Sequence, residues 1–265
     1  MGSFVGDIIE LILFSVLKSF AEWFPVSENG HYVLGSEFFG IRPSAFFDAI
    51  TEIGVLLVIT IFFSDDIVEI FRAVKNFNFN ARYGKMALFI VIGSFLSGLV
   101  SVVTYIVLFQ FFYELITVGI AFILTGLFLS LSRMKSNSRE EINAVDSLLM
   151  GFIQGLSIIP GLSRTGLTLS VGFLRGLKAE IALVFSFLLY IPVGFVTDFL
   201  KLFYSPIVEI NLFALIFGEV FFISISYLLL FLLSKVVLKG KLYLFSIYCW
   251  AVGAFVLMKF FGILG

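Results

Sequence analysis

Charge is scarce in this 265-residue chain, where Asp, Glu, Lys and Arg make up 13% of residues. A soluble domain carries roughly 25%. Cysteine occurs once, at Cys249, which excludes an internal disulfide. The opening MGSFVGD holds no basic residue ahead of its apolar stretch, which argues against a cleaved signal peptide. No low-complexity stretch or soluble domain is visible. The net charge of −1 gives no reason to expect nucleic acid as a partner. In a membrane protein the placement of basic residues matters more than their sum.

What fills the chain is apolar: 60% of residues are hydrophobic and 36 are Phe. Uncharged runs cover Met86 to Tyr113, Leu115 to Ser132, Ile181 to Thr197, Val220 to Ser234 and Leu242 to Met258. Each approaches or exceeds the roughly 20 residues that a membrane-crossing helix needs. This is the composition of a polytopic membrane protein, multi-pass in the cell membrane. Six spans are expected, near residues 45–64, 85–111, 114–133, 180–203, 209–234 and 241–264.

Two further apolar segments are interrupted. Residues 7–39 are broken by Pro25 and the string Ser27, Glu28, Asn29, Gly30, His31. Residues 147–176 are broken by Pro160, Gly161, Ser163, Arg164, Thr165 and Gly166. A charge and a turn at the centre of a lipid-facing helix would leave backbone groups unpaired in hydrocarbon. Each segment is therefore expected to form a re-entrant helical hairpin.

Basic residues orient the scheme. Arg72, Lys75, Arg82 and Lys85 follow span one, Arg133, Lys135, Arg139, Arg175 and Lys178 follow span three, and Lys235, Lys239 and Lys241 follow span five. These connections are expected in the cytoplasm, because the opposite ones, 112–113 and 204–208, hold no Lys or Arg. Both termini and the mouth of the first hairpin then face outward.

The fold class expected is all-α integral membrane, with six transmembrane helices plus two re-entrant hairpins arranged as an inverted repeat. Residues 1–133 form the first repeat, 147–265 the second, and 134–146 a cytoplasmic linker. Aligning the hairpins pairs Lys18 with Gln154, Ser27 with Ser163 and Gly30 with Gly166. In such repeats, broken half-helices meet near the midplane, and their N-termini attract anions.

The ionisable residues inside this scheme are Lys18, Glu22, Glu28, His31, Glu52, Arg164 and Glu219. Arg164 suits a phosphate, since its planar guanidinium donates several hydrogen bonds and keeps its charge when dehydrated. The alternative is a structural pairing with Glu28 or Glu52. Ser163, Thr165 and Thr168 are either hydroxyl donors to the same anion or helix caps. His31, beside a serine and two glutamates, is a candidate general acid/base. Ser27 is either a nucleophile activated by His31 or the cap of its half-helix. Glu22 lies four residues after Lys18, so it either pairs with that lysine or ligates Mg²⁺ or Ca²⁺. Asp48 and Glu52, one helical turn apart, are placed to line one cavity, whereas Glu219 reads as a helix-packing residue.

EWFPVSENGH, residues 22–31, and PGLSRTGLT, residues 160–168, resemble the two signature regions of the undecaprenyl-diphosphate phosphatase family, of the bacitracin-resistance type. FFDAITEIGVLLV around Glu52 and FSFLLYIPVG from Phe185 extend the similarity through the chain. The resemblance implies an integral membrane enzyme with inverted repeats and two re-entrant hairpins. It would remove the terminal phosphate of a polyprenyl diphosphate, recycling the lipid carrier for envelope synthesis, with a divalent cation assisting. Glu22, Ser27 and His31 match the catalytic positions, and Ser163, Arg164 and Thr168 match residues that hold the diphosphate.

Three positions depart from the pattern: Lys18 replaces Glu or Gln, Glu28 replaces Ser or Thr, and Glu52 stands where Gln is common. Either the cation moves to Glu28 and Glu52, or Lys18 contacts the phosphate and supplies some of the metal's charge. A non-hydrolytic polyprenyl-phosphate transporter or flippase is the alternative reading. The partners implied are a polyprenyl diphosphate lipid and the bilayer, with a homodimer left open.

Overall fold

The computed structural model describes residues 4–40, 45–134, 139–205 and 212–263. These residues form α1 (Phe4–Trp23), α2 (Glu28–Phe39), α3 (Ala45–Phe62), α4 (Ser64–Lys75), α5 (Arg82–Leu108), α6 (Leu115–Leu131), α7 (Ala144–Leu156), α8 (Arg164–Leu174), α9 (Ala179–Tyr204), α10 (Leu212–Leu238) and α11 (Phe245–Phe260). The only β-type pairing among them is an isolated bridge between Arg139 and Leu177. Helices dominate because a backbone in hydrocarbon must satisfy its hydrogen bonds within its own segment. The protein is an all-helical integral membrane protein.

Among the described residues, five helical segments are long and apolar enough to cross a bilayer: Ala45–Phe62, Arg82–Phe111, Ala179–Tyr204, Leu212–Leu238 and Leu242–Phe260. The expected span at 114–133 holds a shorter apolar helix, α6, of 17 residues. Lys135 and its three successors in the linker, residues 206–208 of the last outward connection and residues 209–211 of the fifth span lie outside the described residues.

Both interrupted segments are broken helices. The first chain break separates α1 from α2 at Phe24–Ser27, where Ser27 caps α2 by accepting the Gly30 N–H at 3.2 Å. The second separates α7 from α8, where Ser163 caps α8 by accepting the Gly166 N–H at 3.2 Å. α7 begins with a reciprocal capping box between Asn143 and Asp146.

Helix α4 is a feature that hydropathy alone does not single out. It buries none of its residues and exposes Val68, Phe71 and Val74 beside Asp65, Asp66, Arg72 and Lys75. Its alternating polarity keeps its average below that of a span, so only a helical-face reading would find it.

The packing brings the two halves of the chain together. α1 lies against α10, α7 against α5, α6 against α11, and α3 against α9, while α10 also meets α3 and α5 meets α9. A Cβ on Gly151 would meet the backbone of Gly93, so the α5–α7 crossing depends on small residues. Pro192 sits inside α9. One turn before it, the Leu189 carbonyl accepts from Ser94 Oγ at 2.8 Å and Gln154 Nε2 at 3.3 Å. Neighbouring helices thus supply donors where proline disturbs the ladder.

Candidate active site

The two chain breaks touch. Gly161 adopts φ +99, a left-handed conformation that favours glycine, and its N–H donates to Ser27 Oγ at 3.0 Å. Gly30 faces this contact, and a Cβ there would lie 2.7 Å from Phe122 Cζ and 2.8 Å from Gly161 N. Each turn is also held by a distant helix. Thr125 of α6 donates to the Gly161 carbonyl at 2.8 Å and accepts the Ser163 N–H at 3.1 Å, while Cys249 of α11 donates to the Pro25 carbonyl at 3.6 Å.

A cavity of about 370 Å³ opens at this junction, with Glu22, Ser27, Glu28, Ser163, Arg164 and Thr165 on its wall. Glu52 from α3 and Tyr190, Asp198 and Lys201 from α9 also line it. Toward one end the wall becomes aromatic, with Tyr105, Phe109, Phe112 and Tyr113.

Arg164 pairs through Nη2 with Glu22. Its Cζ lies 3.5 Å from the centroid of the Tyr190 ring, so the guanidinium stacks on that face. Nη1 is buried and has no hydrogen-bond partner among the described residues. An unpaired buried donor on a charged group costs upwards of about 1–3 kcal/mol, which an anion in the cavity would recover.

Lys18 does not pair with Glu22. Its Nζ lies 2.9 Å from Glu28 Oε1 and 3.3 Å from Glu52 Oε1 and also bonds Asp48 Oδ1. Glu52 Oε1 is shared with Lys201 Nζ at 3.1 Å. Lys18 stands behind these carboxylates and off the wall of the main cavity, so the lysine that faces the cavity is Lys201. The sequence reading passed over Lys201 because it lies in the last turn of α9, where a lysine is unremarkable in a membrane helix.

The expected cation ligands are likewise redistributed. Glu28, Asp48 and Glu52 have carboxylate oxygens within 4.8 Å of one another, whereas Glu22 is engaged by Arg164. A divalent ion binds carboxylate oxygens at about 2.0–2.6 Å, and the ammonium of Lys18 already fills the space among these three. As the residues stand, they do not fit the divalent cation that the family resemblance implies.

His31 also departs from expectation. Its Nδ1 bonds the Ser27 carbonyl oxygen at 2.8 Å and its Nε2 bonds Tyr248 Oη at 2.6 Å, with the rings stacked at 13°. The ring is not on the main cavity wall and makes no bond to the Ser27 hydroxyl. Thr168 lies away from the wall as well: its Oγ1 donates to the Arg164 carbonyl at 2.9 Å and contacts Ser186 Oγ at 2.5 Å. It ties α8 to α9 and does not reach toward the cavity. Glu219 is half-buried in the packing, with its Oε1 against Gly54 of α3.

Fold and cavity together define a class: a helical membrane protein whose two broken helices converge on a polar chamber with a partly unsatisfied arginine. Residues 11–255 match the family described as Bacitracin resistance protein BacA, and the chain belongs to that family. It is similar to the undecaprenyl-diphosphatase of Carboxydothermus hydrogenoformans, 32% identical over 97% of each chain. It also resembles undecaprenyl-diphosphatase 1 of Bacillus licheniformis, 30% identical over 95% of this chain and 97% of that one. The undecaprenyl-diphosphatase of Methanobrevibacter smithii is 29% identical, again over 95% and 97%.

Proposed function

We propose that this protein hydrolyses the terminal phosphate of undecaprenyl diphosphate, giving undecaprenyl phosphate and inorganic phosphate. The observation that carries the reading is the buried, unpartnered Nη1 of Arg164 on the cavity wall. The relatives named undecaprenyl-diphosphatase supply the substrate.

Arg164 and Lys201 would hold the diphosphate oxygens, assisted by the positive end of α8, which starts at the wall. Ser163 and Thr165 line the same end. Ser27 Oγ already accepts two amides, from Gly30 and Gly161, so its lone pairs are engaged and its proton remains to donate. That favours Ser27 as a donor to a phosphate oxygen over Ser27 as the nucleophile. A water then attacks the terminal phosphorus, its proton passing to Glu28, the carboxylate beside Ser27 on the wall. The new P–O bond forms as the bridging P–O bond breaks, and the polyprenyl phosphate leaves with the bond's electron pair. Arg164 and Lys201 offset the charge that develops on the departing oxygen.

His31 acts in this scheme by positioning. Its Nδ1–H donates to the Ser27 carbonyl and helps keep that residue at φ 68, a costly conformation for a side-chain-bearing residue.

The two halves are read as an inverted repeat opening outward. Supporting this are the reciprocal packing of α1 on α10 and α7 on α5, and the matching caps at Ser27 and Ser163. The basic residues of the α3–α5 and α10–α11 links support a cytoplasmic side for them, in which case the aromatic end of the cavity would admit the isoprenoid tail from the outer leaflet. Phosphate release from undecaprenyl diphosphate by the purified protein tests the reading, with Arg164→Ala as control. Release no greater than the control would sink it, and would favour non-hydrolytic carriage of the lipid.

A further inference from the structure

We infer that Lys18 is the resident cation of the Glu28–Asp48–Glu52 cluster, so that this protein does not take a divalent ion there. An ammonium has three N–H donors and no acceptor, and three carboxylates meet it. Its side chain is 2% exposed, so water does not compete for those donors. A metal ion placed among the same oxygens would have to displace the ammonium. Lys18 would then be a charged group without a partner in the interior of α1, which is strongly unfavourable.

Charge points the same way. Three carboxylates against Lys18 and Lys201 leave a formal −1, which a single proton neutralises. Removing the Lys18 charge leaves −2, the complement of a divalent cation. The position that the hairpin alignment pairs with Lys18 is Gln154, whose Nε2 is satisfied by Ser97 Oγ at 3.1 Å and the Leu189 carbonyl at 3.3 Å. A neutral amide thus stands at the corresponding place in the other half, its Oε1 buried and unpaired. Glutamine at 18 is the conservative way to vacate the cluster.

The inference concerns ion binding and rests on the hydrolytic reading only for its activity arm. Full-length protein in detergent is titrated with Mn²⁺ and followed by electron paramagnetic resonance. The native chain is expected to hold no Mn²⁺ that Glu52→Gln abolishes, whereas Lys18→Gln gains one ion per chain, at least tenfold more tightly held, that Glu52→Gln abolishes. Stoichiometric Mn²⁺ on the native chain, lost in Glu52→Gln, overturns the inference. So does a folded Lys18→Gln protein that holds none, because the ammonium would not be what keeps the ion out. If Lys18→Gln fails to fold, native protein against Glu52→Gln decides alone.

In the activity arm, phosphate release is expected to persist in EDTA, and release abolished by EDTA and restored by Mn²⁺ overturns the inference. Absence of release under every condition counts against the hydrolytic reading, while the Mn²⁺ titration still decides the ion.

Discussion

Ser27 Oγ accepts the backbone N–H of Gly161 at 3.0 Å, joining two turns that lie 134 residues apart. The same oxygen caps α2 through Gly30, so one hydroxyl fixes both a helix start and the contact between the two broken helices. Loss of the cap costs about 1 kcal/mol. The orphaned Gly161 amide adds about 1–3 kcal/mol. Ser27→Ala is therefore expected to lower the melting temperature in detergent as well as turnover. Ser27→Thr keeps the acceptor but puts a β-branched side chain at φ 68, so it too should melt below the native protein. Equal melting temperatures for the native and Ala proteins would show that the contact is not formed.

Arg164 lines the cavity and is held by the ion pair to Glu22 and the Tyr190 face, with its Nη1 buried and unpaired. Lysine retains the charge but cannot both pair with Glu22 and present a second donor in a fixed fork. Arg164→Lys is expected to lower kcat/KM for undecaprenyl diphosphate by roughly 10²–10³-fold, the usual scale for one lost donor to a developing anion. Tyr190→Leu, which removes the stacking face and the hydroxyl that donates to Asp198 at 3.0 Å but leaves the guanidinium, should cost less. The ordering is checked by steady-state phosphate release from the three proteins, and a Lys variant as active as native would contradict it.

The breaks at Phe24–Ser27 and Ser157–Ser163 were legible because charge and turn residues inside apolar runs have few structural explanations. Pairings within the site were not. Lys18 and Glu22 share one helical face at i,i+4, yet each finds its partner on another helix: Lys18 meets Glu28, Asp48 and Glu52, and Glu22 meets Arg164. Helical spacing limits which side chains are able to meet, and tertiary packing selects among them. Tyr190, Asp198 and Lys201 were missed for a related reason. They sit on one long helix, α9, whose spacing does not reveal which face turns toward the cavity until α3 and α8 are in place. Asp48 was found because it lies one turn from Glu52.

His31 bonds Tyr248 through Nε2 and the Ser27 carbonyl through Nδ1, so its influence on the reaction runs through the shape of the first turn. If the ring acts as a general base, His31→Gln abolishes the acidic limb of the pH–rate profile and Tyr248→Phe does little. If it positions, the two variants share one effect and the limb persists. The expected result is the second, with a coupling of about 0.5–3 kcal/mol in a double-mutant cycle on kcat/KM.

Asp146, at the start of α7, is expected to make stability depend on acidity. Burial pushes its carboxyl up, but hydrogen bonds from Arg139, the Asn143 backbone and Arg175 outweigh that and hold it below its ordinary value of 3.8. Arg139 reaches it at 2.5 and 2.8 Å and Arg175 at 2.9 Å. The folded state therefore binds this proton more weakly than the unfolded state. Its contribution is present in full above about pH 5 and declines as the pH falls through the folded value. Asp146→Asn removes that contribution and leaves two arginines, each about one-third exposed, without their counter-charge. It is expected to cost about 1–3 kcal/mol at neutral pH, an amount that solvent around the arginines keeps below that of a fully buried pair. Melting curves of the native and Asn proteins from neutral pH to about pH 3 check this, because the gap between them should narrow as the native carboxyl is protonated. A gap that stays constant across that range would mean that Asp146 acts through packing alone.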